Sequence, residues 1–231
     1  MCRTCGEALD IDLESARFSS QFVEEGLLCD DCRNHPPKFE RAVAHAVYRD
    51  ELREIIHLLK YERMSGVVKL LGPMLAEAIL RIESETAQDL IVVPVPLFPS
   101  KLRQRGYNQS ELLAKAALAE LQRARPKWRL SLEPAILRRL RDTRSQFELN
   151  RVSRRWNMRN AFEVDRNSIR HGCKVLLIDD IYTTGATARE CSRVLRQAGA
   201  GKVWVATLAR AQTPSVAMWD DARRVSAQGF G

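Results

Sequence analysis

The sequence predicts an α/β fold, a mostly parallel, doubly wound sheet with a small cysteine-rich module ahead of it. Three observations carry that expectation. Short apolar runs, among them Lys174 to Asp180 and Lys202 to Arg210, read as strands buried on both faces. Between such runs lie amphipathic stretches of helical length, such as Ser110 to Leu121 and Thr187 to Ala198. Four cysteines open the chain as Cys2-x2-Cys5 and Cys29-x2-Cys32, the spacing of paired metal knuckles.

In chain order, the double proline of Asn34 to Glu40 (NHPPKFE) blocks helix and central strand alike. It divides a module over residues 1–38 from a domain over 39–231. Arg41 to Arg49 reads as a strand and leads into a helix over Asp50 to Glu62, with Leu52, Ile55, Ile56 and Leu59 on one face. A second helix is expected around Val67 to Ile82, broken or started at Gly72-Pro73. Asp89 to Pro96 (DLIVVPVP) is a buried strand, followed by a basic loop, LFPSKLRQRGYNQ. After the helix from Ser110, Leu132 to Leu140 reads as extended, and Arg141 to Asn160 as a polar, arginine-rich segment. Gly199 closes the helix that starts at Thr187. The stretch from Ala211 onward carries no readable pattern beyond a tail or a piece docking through Trp219.

A chain of 231 residues, 45% hydrophobic and 29% charged, is long enough for one substantial core plus an appended module. The longest apolar run, Leu90 to Phe98, is nine residues with two prolines, far short of a membrane span, so no membrane insertion is expected. The polar start MCRTCGEALD has no apolar signal region, and a cytoplasmic location follows as the expectation. There, paired cysteines point to metal more than to disulfides. The net charge of +8 is uneven. Between Lys101 and Arg170, 18 Lys/Arg face 7 Asp/Glu, a net +11, which leaves −3 for the rest. Such a basic middle suits an anionic partner or a solvated arginine-rich surface.

The stretch Val175 to Thr187 reads VLLIDDIYTTGAT: a core strand ends in adjacent aspartates and falls into hydroxyl and glycine residues. Ligands of parallel α/β sheets bind beyond the carboxyl ends of strands. Amides at a helix start, with threonine hydroxyls and an unhindered glycine, make a phosphate cradle. Carboxylates beside such a cradle suit a phosphorylated sugar, with hydroxyls and a hydrated Mg²⁺ on Asp179 and Asp180. The plain alternative is an acidic turn with a threonine N-cap. A GxxxxGK[ST] loop and a Rossmann glycine fingerprint are both absent. For the cysteines, four thiolates in tetrahedral array fill a structural Zn²⁺ and leave no open coordination position. A disulfide pair, an iron–sulfur cluster or a redox role are the alternatives, and His35 lies near enough in sequence to compete as a ligand.

The thirteen-residue loop resembles the phosphoribosyl pyrophosphate (PRPP) signature of type I phosphoribosyltransferases. The wider chain resembles the ComF family, named for bacterial competence. The resemblance rests on the double C-x2-C of Cys2 to Cys32, Lys60-Tyr61, Val93 to Pro96 (VPVP), Arg105 to Gln109 (RGYNQ), Asp142-Thr143 with Gln146, and Asp179 to Thr187. It spans roughly residues 2–210. It implies a type I phosphoribosyltransferase fold with an N-terminal zinc-ribbon module. Asp179 and Asp180 would engage the ribose hydroxyls of PRPP directly or through Mg²⁺, and Thr183, Thr184, Gly185, Ala186 and Thr187 its 5′-phosphate. Arg105, Gly106 and Asn108 would approach the pyrophosphate. A mobile loop within Arg138 to Asn160 would offer Arg141, Gln146, Arg151 or Arg154 to the leaving group. The family's glycine directly after Lys-Tyr is replaced here by Glu62-Arg63-Met64 before Gly66, so Lys60 receives no catalytic role.

Three functions stay open at this point. One is a phosphoribosyltransferase acting on an unidentified acceptor with pyrophosphate release. The second is a PRPP-binding regulator without turnover. The third, suggested by the family's competence association, is an accessory of DNA uptake that binds single-stranded DNA. Only Tyr107, Trp128, Phe147, Trp156 and Phe162 interleave with the basic residues between 101 and 170, few for base stacking. Oligomeric state is not readable.

Overall fold

The computed structural model describes residues 1–9, 27–61, 65–86, 89–143, 156–165 and 168–212. Five parallel strands form the main sheet in the order β1 (Arg41–Val47), β7 (Lys202–Arg210), β6 (Lys174–Tyr182), β2 (Asp89–Pro94), β3 (Arg129–Leu132). The central strand β6 pairs Leu177 with Val93 of β2 on one side and Val205 of β7 on the other. A two-stranded antiparallel hood, β4 (Leu137–Arg139) and β5 (Phe162–Val164), stands apart from that sheet. This is a parallel α/β architecture, as the sequence predicts, and the amino-terminal cysteine cluster fits a zinc ribbon.

Alternation along the strands builds two cores. Leu90, Val92, Leu176, Ile178, Trp204 and Ala206 face the helices α2 (Asp50–Tyr61), α3 (Val68–Leu80) and α5 (Gln109–Ala124). Val93, Val175, Leu177, Val203 and Val205 face α6 (Ala186–Gln197), the hood and the cysteine module, which includes α1 (Asp30–Asn34). Because the strands are covered on both faces, they read as continuous apolar runs, and β7 matches its expected bounds at both ends.

Four elements differ from the sequence expectation. The α3 helix runs unbroken through Pro73. Pro73 and Lys69, whose carbonyl loses its partner amide, both lie on the solvent face, so the loss falls where the helix is exposed. Gly72, on the opposite face, lets α3 approach α5 so closely that a Cβ there would lie 2.6 Å from the Ala116 Cβ. The basic segment after VPVP is helical, α4 (Pro99–Arg105), with proline in its first turn and Gly106 as a left-handed C-cap at φ 86°. The four-residue edge strand β3 and the hood strand β5 have no periodicity long enough to read from sequence. Among the described residues, no helix is long and apolar enough to cross a membrane.

Candidate functional site

Parallel strands of this sheet end together on one edge, and the acidic pair sits there at the end of β6. Strand alternation sends the two carboxylates apart. Asp180 turns toward α2, where Lys60 Nζ lies 2.7 Å from its Oδ2. Asp179 turns toward α5 and the hood, accepting from the Ser110 hydroxyl at 3.2 Å and from the Asp180 amide at 2.9 Å. Two like charges therefore share a strand end because each has its own partners.

Their electrostatics differ accordingly. Burial, reinforced by the Asp180 charge, pushes the Asp179 carboxyl up to about 7, against the pull of Lys60, the Asp180 amide and the Ser110 hydroxyl. Burial also works against the Lys60 charge, yet Asp180, with Asp179 behind it, outweighs that and holds the ammonium above its ordinary value. A carboxyl poised near neutrality can hold a proton in the free protein and lose it to solvent when a cation or a hydroxyl-donating ligand binds the carboxylate.

Beyond Tyr182 the chain turns through Thr183 and Thr184 to Gly185, which has φ 73° and precedes the first residue of α6. A side chain at Gly185 would be strained by that dihedral and would also meet the Tyr182 hydroxyl at 2.1 Å. The first amides of α6 have no intrahelical acceptor. Thr184 Oγ1 is buried beside them with no hydrogen-bond partner among the described residues. Asp179, Thr183, Gly185, Ala186 and Thr187 line one small concavity. An orphaned buried hydroxyl next to open helix amides is the arrangement that an anion satisfies.

The RGYNQ segment joins α4 to α5 against the end of β2. Asn108 caps α5 by accepting from the Ser110 amide at 3.1 Å and donates to the Val95 carbonyl at 3.0 Å. Arg105 donates to Gln109 Oε1 at 2.7 Å, and the Tyr107 hydroxyl donates to the Leu59 carbonyl at 2.6 Å. Gly106 and its neighbours thus shape the turn that brings Ser110 to Asp179. Of the arginine-rich segment, Arg141 donates to the Arg159 carbonyl on the exposed side of the hood. Gln146, Arg151 and Arg154 lie outside the described residues.

Arg139, given no role in the sequence reading, belongs to this group. Its guanidinium lies 5.4 Å over the Phe162 ring and donates to the Thr143 hydroxyl, and its Nε is buried without a partner among the described residues. Burial draws its pKa down while the Asp179 charge opposes that. Lys60 and Arg139 come from segments far from the loop in sequence, and only the fold reveals them as its neighbours. A separate cleft, lined by Asp89, Trp128, Arg129, Arg170 and Lys174, lies at the amino ends of β2, β3 and β6, away from this chemistry.

The four cysteine Sγ atoms of Cys2, Cys5, Cys29 and Cys32 all lie within 4.8 Å of one another, and Cys5 and Cys29 are 3.6 Å apart. Zn–S bonds of about 2.3 Å in a tetrahedron require edges of about 3.8 Å, so the donor set can hold a metal ion of that kind. A hydrogen bond from Cys32 draws Cys5 down to about 5 despite burial, with Arg210 assisting, while burial pushes Cys29 up to about 11. His35 stands outside this cluster, its Nδ1 3.9 Å from Asp31. Cys191 is a fully buried core thiol.

Comparison with known proteins yields close sequence relatives. DNA utilization protein YhgH of Escherichia coli strain K12 is 32% identical over 213 residues, 91% of this chain and 90% of that protein. The chain belongs to the ComF family of competence proteins. Competence protein F of Haemophilus influenzae is 31% identical over 188 residues, 79% of this chain and 78% of its own length. Competence protein ComFC of Streptococcus pneumoniae is 26% identical over 212 residues, 91% and 87% of the two chains. No family model matches. Among solved structures, hypoxanthine-guanine phosphoribosyltransferase from Schistosoma mansoni is 18% identical with a TM-score of 0.34, covering 63% of this chain and 55% of that one. Glutamine PRPP amidotransferase from B. subtilis is 23% identical with a TM-score of 0.35, covering 62% and 26%. At such scores the family assignment rests on the sequence relatives.

Proposed function

We infer that this ComF-family chain binds PRPP at the carboxyl edge of its sheet and transfers the phosphoribosyl group to an acceptor, releasing pyrophosphate. The observation that carries this reading is the small concavity that Asp179, near the end of β6, shares with Thr183, Gly185, Ala186 and Thr187 at the start of α6. Carboxylates suit ribose hydroxyls; the loop Thr183 to Thr187 suits a terminal phosphate. Mg²⁺ held through the carboxylates would neutralise charge building on the departing pyrophosphate. In the transfer, the bond from the ribose anomeric carbon to pyrophosphate breaks, the acceptor's lone pair forms the new bond, and the acceptor's proton leaves. Asp179, poised near 7, stands at the sheet edge as a group able to take a proton. Arg139, whose guanidinium feels the Asp179 charge, would be the cation nearest the charge that develops on the leaving group. Zn²⁺ on the four cysteines would be structural, since four thiolates leave no position for substrate.

PRPP is expected to raise the melting temperature of the intact chain only when Mg²⁺ is present. No shift at millimolar PRPP with Mg²⁺ contradicts the reading. Pyrophosphate release on adding candidate acceptors separates a transferase from a regulator that binds without turnover.

A second reading has its own support in the names of the relatives, DNA utilization and competence proteins, together with the net +11 between Lys101 and Arg170. In it this basic segment binds single-stranded DNA. Affinity should then fall steeply between 50 and 200 mM salt, by at least about tenfold; salt-independent binding contradicts it.

A further inference from the structure

Two arginines of the sheet domain reach into the cysteine module, and both sit beside the phosphate-like loop. Arg210, the last residue of β7, donates to the Cys5 carbonyl, to Cys5 Sγ at 3.6 Å and to Glu7 Oε2. The same guanidinium stacks 4.5 Å over the ring of Tyr182. Tyr182 in turn fills the space that a side chain at Gly185 would need, and Phe39 packs against it in a T-shaped contact at 6.4 Å. Arg189, in the first turns of α6, donates to Asp31 Oδ2 at 2.8 Å, to Cys32 Sγ at 3.6 Å and to the His35 carbonyl. Its backbone amide donates to the Gly185 carbonyl at 2.8 Å. One cysteine of each knuckle thus receives a guanidinium N–H, and both routes converge on Gly185.

We propose that Arg210 and Arg189 are positioning residues that couple the four-cysteine module to the Thr183 to Thr187 loop, so that metal on the cysteines sets the geometry of the ligand site. The ligand part of this inference rests on the reading of that loop as the PRPP site. The physical case is one of burial and fixed geometry. Arg210 is 7% exposed, and with its Nε lacking a partner among the described residues its buried charge depends on the acceptors that its two terminal nitrogens find in the cysteine module. N–H donors to metal-bound sulfurs orient those sulfurs and stabilise their charge. When the sulfurs are held by an ion, each guanidinium has a fixed acceptor, and the Arg210–Tyr182 stack is locked over Gly185. When the cysteines are unrestrained, both arginines lose a stationary partner and the loop is freed at both ends.

The test uses the full-length protein carrying one equivalent of Zn²⁺. Hydrogen exchange is read on peptides covering residues 183–190, with the β6 core at 175–178 as an internal reference. Stripping the metal with a chelator is expected to speed exchange of the loop peptide about tenfold while the core stays unchanged. R210Q and R189Q with metal retained are expected to give the same local acceleration, and faster release of Zn²⁺ to a chromophoric chelator. R210K, which keeps the charge but not the fork, should fall between R210Q and wild type. Loop exchange that ignores both the metal and the arginine substitutions overturns the coupling. Should R210Q fail to fold, R189Q and the chelator arm decide it alone. PRPP affinity is measured in parallel on wild type: if wild type does not bind PRPP, the function reading fails, while the exchange data still decide the coupling.

Discussion

Lys60 Nζ and Asp180 Oδ2 form a 2.7 Å ion pair between α2 and the end of β6, 120 residues apart, and the carboxylate end of that pair is almost wholly buried. Removing the cation leaves Asp180 charged without compensation. Lys60→Met is expected to cost about 2–4 kcal/mol in denaturant unfolding, discounted from the fully buried case because Lys60 is partly exposed. Adding Asp180→Asn to that variant should recover most of the loss. A Lys60→Met chain as stable as wild type would show that the pair contributes nothing.

Asp179 binds its proton more tightly in the folded chain, near 7, than at its ordinary value of 3.8. The stability it contributes is therefore complete below about pH 4 and is lost as pH rises through 7. Asparagine cannot ionise. The melting temperature of Asp179→Asn minus that of wild type, in the absence of ligand, is expected to increase from pH 5 to pH 8. A difference that stays constant or decreases contradicts the raised carboxyl.

Gly185→Ala places a Cβ against the Tyr182 hydroxyl and forces alanine into the left-handed region at φ 73°. The dihedral alone costs about 1–2 kcal/mol. The melting temperature should fall, and PRPP binding should be lost more completely than stability.

In an ordinary helix, glycine to alanine stabilises by about 1 kcal/mol. At Gly72 the new methyl would meet the Ala116 Cβ at 2.6 Å, and overpacking of about 1–3 kcal/mol outweighs that gain. Gly72→Ala is expected to destabilise the chain, with Ala116→Gly as the rescuing partner. A stabilised single variant would refute the close helix crossing.

Mass spectrometry under native conditions should find one Zn²⁺ per chain, absent in Cys29→Ser. Well-folded wild-type protein purified without bound metal would contradict the assignment of the quartet.

How far the sequence revealed this molecule depended on the range of the interaction concerned. The strands β6 and β7 were legible because burial on both faces leaves unbroken apolar runs. The phosphate-like loop was legible because its hydroxyls, glycine and acids follow one another along the chain. The α4 helix carried its own signals, Pro99 in the first turn and Gly106 at the C-cap, but its many cations read as a loop. Pro73 misled because nothing local reveals which face of a helix a proline occupies. The partnerships of Lys60 with Asp180, and of Arg210 with Tyr182 and Cys5, bring together residues remote in sequence, and no spacing rule encodes them.

The most direct measurement of the central claim is a calorimetric titration of the metal-loaded protein with PRPP, with and without Mg²⁺, beside the Asp179→Asn/Asp180→Asn double variant. Saturable binding that requires Mg²⁺ and vanishes in a double variant of native-like fold is the expected result. Binding of equal strength in the double variant, or none in wild type, would contradict the site at the end of β6.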